Sequence, residues 1–115
     1  MLFEYRRPTK SWVNFTVRHL RESGVGAEVT REGDDRRGAV MLKLKQRGGG
    51  CRVASQIRDA KGDAGWLPGL GAELTTEEAV DAYIARSLDR DPDLWVIEIE
   101  HDSGANPVAA AFPEG

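Results

Sequence analysis

Two glutamates that could do acid–base chemistry lie close together near the end of the chain. Glu98 and Glu100 are two residues apart in the alternating run 95–100 (WVIEIE), so they point to the same side of an extended strand. Paired carboxylates can act as general acid and general base. Such a pair is more often the solvated face of a sheet, and no further catalytic group accompanies it. A small enzyme that uses carboxylates is therefore an alternative hypothesis and not the favoured one.

Other catalytic and metal-binding groups are scarce. The chain contains two histidines, His19 and His101, and one cysteine, Cys51. A structural zinc site needs a full set of nitrogen and sulfur ligands at close spacing, which these residues do not supply. We interpret Cys51 as a small buried hydrophobic residue. We therefore expect no cofactor and no metal, and the lone cysteine, which allows no internal disulfide, suits a reducing cytoplasm.

The net charge of −3 conceals two halves of opposite charge. Residues 1–62 carry 14 basic and 7 acidic side chains, whereas residues 63–115 carry 2 and 12. We interpret this asymmetry as two halves that fold against each other and neutralise their charges. The alternative is a nucleic-acid-binding protein, for which the low pI of about 5.4 is unfavourable. The candidate residues of that basic face are Arg18, Arg21, Lys43, Lys45 and Arg52.

Two segments have the periodicity of amphipathic helices. Thr9 or Ser11 could cap the first, which runs to about Ser23. Thr75 and Glu78 form a capping-box pair at the start of the second. The apolar stripe of this second helix consists of Val80, Tyr83, Ile84 and Leu88.

The remaining segments alternate as strands do. Runs at 25–29, 40–45 and 51–58, a short edge strand at 65–67 and a last strand at 95–100 are joined by turns that favour antiparallel neighbours. We predict a single α+β domain over residues 1–104: an antiparallel β-meander plus a C-terminal strand, four or five strands in all. The predicted order is α-β-β-β-(β)-α-β, with both helices on one side of the sheet. Residues 105–115 are expected to be a loosely ordered tail.

A polar cluster is the main candidate for a binding surface. Tryptophan and arginine dominate interface hot spots, and several such residues fall where the predicted strands and second helix end. The alternative is that Arg86–Asp91 or Arg58–Asp93 ion pairs fix the turn between helix and strand. The candidate interaction rim consists of Gln56, Arg58, Asp59, Trp66, Arg86, Asp91, Asp93 and Trp95.

Several segments resemble a known family. They are Arg58-Asp59, Gly65-Trp66, the run 81–86 (DAYIAR) and, above all, the run 91–100 (DPDLWVIEIE), together with Trp12, Arg18, Gly24 and Gly33-Asp34. Over roughly residues 9–104 the chain resembles a family of small alphaproteobacterial proteins of unknown function. The resemblance implies a bacterial cytoplasmic protein. It brings no activity, cofactor or catalytic residue.

These patterns together favour a non-enzymatic protein-interaction or regulatory module. Its partner is expected to be another protein or a second copy of the chain, as in a homodimer, recruited through exposed Trp and Arg residues or an open strand edge. No apolar run approaches the roughly 20 residues of a membrane span, so no membrane association is expected.

Overall fold

The computed structural model describes residues 8–58 and 64–108. The two helices are α1 (Thr9–Glu22) and α2 (Glu77–Arg90). The five strands are β1 (Gly26–Arg31), β2 (Val40–Gln46), β3 (Cys51–Arg58), β4 (Ala64–Pro68) and β5 (Trp95–His101). The predicted α+β class and the predicted order of the elements are confirmed.

The strands form one mixed sheet in the order β1-β5-β2-β3-β4. Strands β2, β3 and β4 form the expected antiparallel meander. The expectation that β1 also pairs with β2 is wrong, because β5 lies between them, antiparallel to β1 and parallel to β2. The reason is the composition of β5: Trp95, Val96, Ile97 and Ile99 are all buried. A strand that is apolar on both sides is stabilised most at the centre of a sheet, where both faces are covered.

Each face of the sheet is covered by its own helix. Alternation along β2 sends Leu42 and Leu44 to the face covered by α1, and Met41 to the face covered by α2. We call these the α1 face and the α2 face. The expectation that both helices lie on one side is wrong, because Met41 of β2 and Val96 of β5 are apolar residues on the second face, which also has to be covered. Neither described helix is long and apolar enough to cross a membrane.

The two helices begin differently from the sequence prediction. The N-cap of α2 is Thr76, whose hydroxyl oxygen accepts a hydrogen bond from the N–H of Ala79 (3.1 Å). Thr75, the predicted cap, instead exchanges main-chain hydrogen bonds with Cys51 at the start of β3. The hydroxyl of Thr9 donates to the carbonyl of Gly38 (2.9 Å), so it ties α1 to the loop between β1 and β2.

The chain after β5 packs onto the α1 face. Val108, which falls in the predicted loose tail, is buried in the core beneath α1. Gly104 adopts a φ of +71°, a conformation that favours glycine, and lies close to Leu74 and Gln46. Residues 109–115, the remainder of the predicted tail, lie outside the described residues.

Candidate functional site

A cluster of ion pairs lies on the α2 face. The ammonium of Lys43 is 2.7 Å from carboxylate oxygens of both Glu77 and Asp81, and 3.8 Å from Glu98 on the neighbouring strand. Lys45 lies 3.6 Å from Glu77 and from Glu98. We call these five residues the Lys43 cluster. Its pairs join the basic half of the chain to the acidic half, so part of the charge asymmetry is neutralised within the fold.

The Lys43 cluster keeps its lysines charged. Burial by itself lowers the pKa of Lys43, but hydrogen bonds and Coulomb attraction from Asp81 and Glu77 outweigh it and raise the pKa above its usual value. The pKa of Lys45 is raised by Glu98 first and then by Glu77. The hydrogen bond from Lys43 lowers the pKa of Glu77. Because a protonated lysine is neither a nucleophile nor a base, this arrangement favours a structural role for the cluster.

Two open grooves flank β1, one on each face. The groove on the α2 face has a volume of about 270 Å³, and Ile84 and Val96 in its floor are almost fully buried. The groove on the α1 face has a volume of about 520 Å³ and includes Arg18 and Arg21 in its lining. Both are open to solvent, unlike the enclosed pockets that bind most small ligands.

Cys51, His19 and His101 lie on separate elements of the fold. Cys51 is 1% exposed, and its burial raises the pKa of the thiol, which disfavours the reactive thiolate. His19 stacks on Phe15 on the outside of α1, and His101 is hydrogen-bonded to Ser103 after β5. Within residues 8–58 and 64–108, no group of three or more His, Cys, Asp or Glu side chains could hold a metal ion.

The predicted basic face is divided between surfaces. Lys43 and Lys45 are paired with acids on the α2 face. Arg52 donates to two main-chain carbonyls, at 3.0 and 2.9 Å. Arg18 and Arg21 line the groove on the α1 face. The five residues therefore do not form the continuous basic surface that binding along a phosphate backbone requires.

The predicted interaction rim also combines residues from opposite faces. Trp95 is a core residue, 1% exposed, so it does not belong to a surface rim. The alternation of β5 directs its side chain to the α1 face, where it is buried beneath α1. Trp66 is half-buried on the α1 face, where its ring centroid lies 6.4 Å from that of Trp12. Arg86 belongs to α2, on the other side of the sheet, and lies over the ring of Tyr83.

The other rim residues shape turns or lie beside Trp66. Asp91 accepts a hydrogen bond from the N–H of Asp93 (3.1 Å), which closes the turn after α2. Gln56 is the register partner of Trp66. The side chain of Arg58 and the whole of Asp59 lie outside the described residues.

An apolar surface that the sequence reasoning missed lies on the α2 face. Among the described residues, the large hydrophobic side chains that are exposed are Phe15, Ile57, Leu67, Leu70 and Leu74. Ile57 (41% exposed) is opposite Gly65, and Leu67 (54% exposed) is opposite Ser55. Ile57 and Leu67 are therefore diagonal neighbours on one face of the β3–β4 pair. Gly65 and Gly69, two residues before and after Leu67, were the sequence signal for this surface. They leave Leu67 without apolar side chains beside it on the same face of the chain.

Tyr83 and Arg86 extend this surface onto α2. A Cβ added to Gly69 would lie 2.7 Å from the ring of Tyr83 and 2.8 Å from Val53, so the ring packs against the backbone two residues beyond Leu67. The guanidinium of Arg86 lies 6.0 Å from the centre of the same ring, within range of a cation–π interaction. We call Ile57, Leu67, Tyr83 and Arg86 the Leu67 patch.

Each edge strand of the sheet has a feature that disfavours the addition of another strand. On β1, the side chain of Arg21 donates to the carbonyl of Ala27 (2.7 Å). On β4, the N–H of Gly69 donates to the carbonyl of Val53 in β3. Because main-chain groups along a strand point alternately to either side, the main chain of the preceding residue, Pro68, faces outward, and Pro68 has no N–H that could bind a further strand. Short edge strands and outward prolines disfavour edge pairing. A partner is therefore more easily accommodated on a face of the sheet than at an edge.

The fold and its surfaces define a small α+β domain in which the buried Lys43 is paired with acids and the exposed Ile57 and Leu67 are neighbours on one face of the sheet. The chain belongs to the DUF1491 family, described as "Protein of unknown function", whose family model matches residues 8–109. The predicted membership in a family of unknown function is thereby confirmed. No curated protein matches the chain.

Solved structures of the family have the same fold. The chain is 36% identical to a DUF1491 family protein from Caulobacter crescentus CB15 in a crystal structure, covering 86% of this chain and 92% of that one, with a TM-score of 0.76. An NMR structure of a DUF1491 family protein from the same organism gives 35% identity, 87% and 90% coverage and a TM-score of 0.76. Protein Atu0922 from A. tumefaciens, at 23% identity with 84% and 87% coverage, shares the fold with a TM-score of 0.72.

Proposed function

We propose that the protein is a non-enzymatic interaction module that binds a protein partner on the Leu67 patch. The observation that carries this proposal is the exposure of Leu67 beside Ile57 on a part of the sheet that α2 does not cover. Single exposed hydrophobic residues are ordinary, but adjoining ones mark binding surfaces. Tyr83 and Arg86 at the border are of the residue types that contribute most to interfaces.

The chemistry of the other candidate residues supports a role in binding over one in catalysis. The thiol of Cys51 is buried and Lys43 is held protonated, so neither is prepared to act as a nucleophile. The lone buried cysteine supports a cytoplasmic location. The similarity to proteins of Caulobacter crescentus and A. tumefaciens supports an alphaproteobacterial source.

Photo-cross-linking in cells tests the proposal directly. A photoreactive amino acid at position 67 is compared with the same amino acid at position 15, because Phe15 is similarly exposed (47%) but lies on α1, across the sheet. We expect position 67 to give one discrete adduct that mass spectrometry identifies, that position 15 does not give, and that the Ile57→Ser variant loses. A second copy of the chain is one such adduct. Identical adduct patterns at both positions, or an adduct that survives Ile57→Ser, would contradict the proposal.

A further inference from the structure

The Leu67 patch is apolar at its centre and positively charged at one end. From this we infer that its partner is a short peptide segment that carries a carboxylate next to apolar side chains. The inference rests on the proposed function, since it names the chemistry of the segment that the same patch accepts.

The positive end of the patch is Arg86. Its guanidinium is held over the ring of Tyr83, and the residue is exposed to solvent. Among the described residues, the ion pairs of the protein occupy Lys43, Lys45 and Arg47, so Arg86 is not neutralised in this way. An arginine beside an apolar surface binds a carboxylate well, because its planar donors can form two parallel hydrogen bonds with the two oxygens.

The two sides of α2 differ in charge, and the patch lies on the basic side. Tyr83, Arg86 and Arg90 are spaced by three and four residues, so they follow one side of the helix. Asp81, a member of the Lys43 cluster, is about 160° from Tyr83 around the helix. Asp89, three residues beyond Arg86 and about 60° from it around the helix, is exposed. The guanidinium of Arg86 thus favours a segment that carries a carboxylate over one that carries a lysine at the same place.

The shape of the patch surface suits a narrow peptide segment. Gly65 has no side chain, and among the described residues a Cβ there would meet Ile57 alone, at 3.8 Å, so these residues leave the surface between Ile57 and Leu67 shallow. An apolar side chain of the partner can lie there, against Ser55 and between the two exposed hydrophobic residues. The carboxylate would then reach Arg86 past the edge of the Tyr83 ring.

A random linear peptide library displayed on phage is the probe. The library is selected on the full chain and counter-selected on the Leu67→Ser variant. We expect the enriched peptides to contain Asp or Glu next to aromatic or aliphatic residues. Binding of a chosen peptide, measured by fluorescence polarisation, should weaken about tenfold in Arg86→Glu and less in Arg86→Gln. It should be unchanged in Arg18→Gln, an exposed arginine on the α1 face. A peptide with lysine in place of the acid should regain affinity for Arg86→Glu.

The possible failures are distinguishable. Peptides that depend on Leu67 but lack an acidic residue, or that bind Arg86→Glu as well as the wild type, overturn the inference and leave the proposed function standing. A selection that enriches no peptide over the Leu67→Ser variant also overturns the inference, and the cross-linking at position 67 then decides the proposed function by itself. Circular dichroism and thermal unfolding of every variant confirm that it is folded, which is expected because the three mutated residues, Arg18, Leu67 and Arg86, are exposed.

Discussion

The indole nitrogen of Trp95 donates a hydrogen bond to the main-chain carbonyl of Asp34 (2.7 Å). The N–H of Asp34 in turn donates to the carbonyl of Asp93 (2.9 Å). A Cβ on Gly38, in the same loop, would lie 2.7 Å from the Trp95 ring. The loop between β1 and β2 is therefore closed over the start of β5, and Trp95 is the side chain that connects them.

Replacing Trp95 with phenylalanine should destabilise the fold. The substitution removes the indole donor, leaves the carbonyl of Asp34 without this partner, and opens space in the core. We expect the free energy of unfolding in urea to fall by about 2–3 kcal/mol. Trp66→Phe is the matched control, because Trp66 is only half-buried, and its loss should be clearly smaller. Equal losses in the two variants would show that the Trp95–Asp34 contact contributes little.

Glu77 should make stability depend on pH in the acid range. The pKa of Glu77 is lowered in the folded state by Lys43, so its stabilisation is complete above 4.5, the value of the free side chain, and is lost as pH falls through the lower folded-state pKa. The difference in unfolding free energy between wild type and Glu77→Gln should be present at neutral pH and vanish in acid. Glu78→Gln is the control, since Glu78 lies in the same helical turn outside the Lys43 cluster. A difference that does not change with pH would contradict the assignment.

Thr16 is a site where removal of a polar group should stabilise the protein. Its side chain is fully buried, and its hydroxyl has no hydrogen-bond partner in the described part of the chain. Thr16→Val replaces the hydroxyl with a methyl group of similar size, so the free energy of unfolding should rise by about 1 kcal/mol. The same change at Thr9 removes the hydrogen bond to Gly38 and should lower it by a similar amount. Loss of stability at both positions would mean that the Thr16 hydroxyl has a partner.

Gly69 and Gly65 should respond differently to alanine. A Cβ on Gly69 collides with the ring of Tyr83 and with Val53, whereas one on Gly65 makes an ordinary contact with Ile57. Gly69→Ala should cost about 1–3 kcal/mol of stability and displace Tyr83, and Gly65→Ala should be nearly neutral. Urea unfolding together with the NMR shifts of the Tyr83 ring measures both effects. Unshifted ring resonances in a stable Gly69→Ala variant would argue against the described packing.

The thiol of Cys51 should be unreactive in the native protein. It is 1% exposed and burial raises its pKa, so little thiolate is present or accessible at neutral pH. A chromogenic disulfide reagent should react with the thiol only as fast as the protein unfolds, and rapidly in denaturant. Fast reaction of the folded chain would contradict the burial of this residue.

The local features of the fold could be predicted from the sequence. The spacing of apolar residues over 9–22 and 77–90 specifies helices, and alternation specifies the strands, because each depends on residues that are neighbours along the chain. The helix caps were predicted less accurately: Thr76, not Thr75, is the N-cap of α2, because two adjacent threonines offer the same hydroxyl group. The opposite charges of the two halves predicted ion pairs between them, which the Lys43 cluster contains, but not the residues that form this cluster.

Only the tertiary structure decided which strands are neighbours and which residues meet. The alternation of apolar and polar residues along a strand shows which residues share a face. This pattern is the same whether β1 pairs with β2 or with β5. The choice depends on burying both faces of β5 at once, which is a property of the whole sheet. That choice places one helix on each face, buries Trp95, pairs Lys43 with acids from distant parts of the chain, and leaves Ile57 and Leu67 exposed beyond the reach of α2.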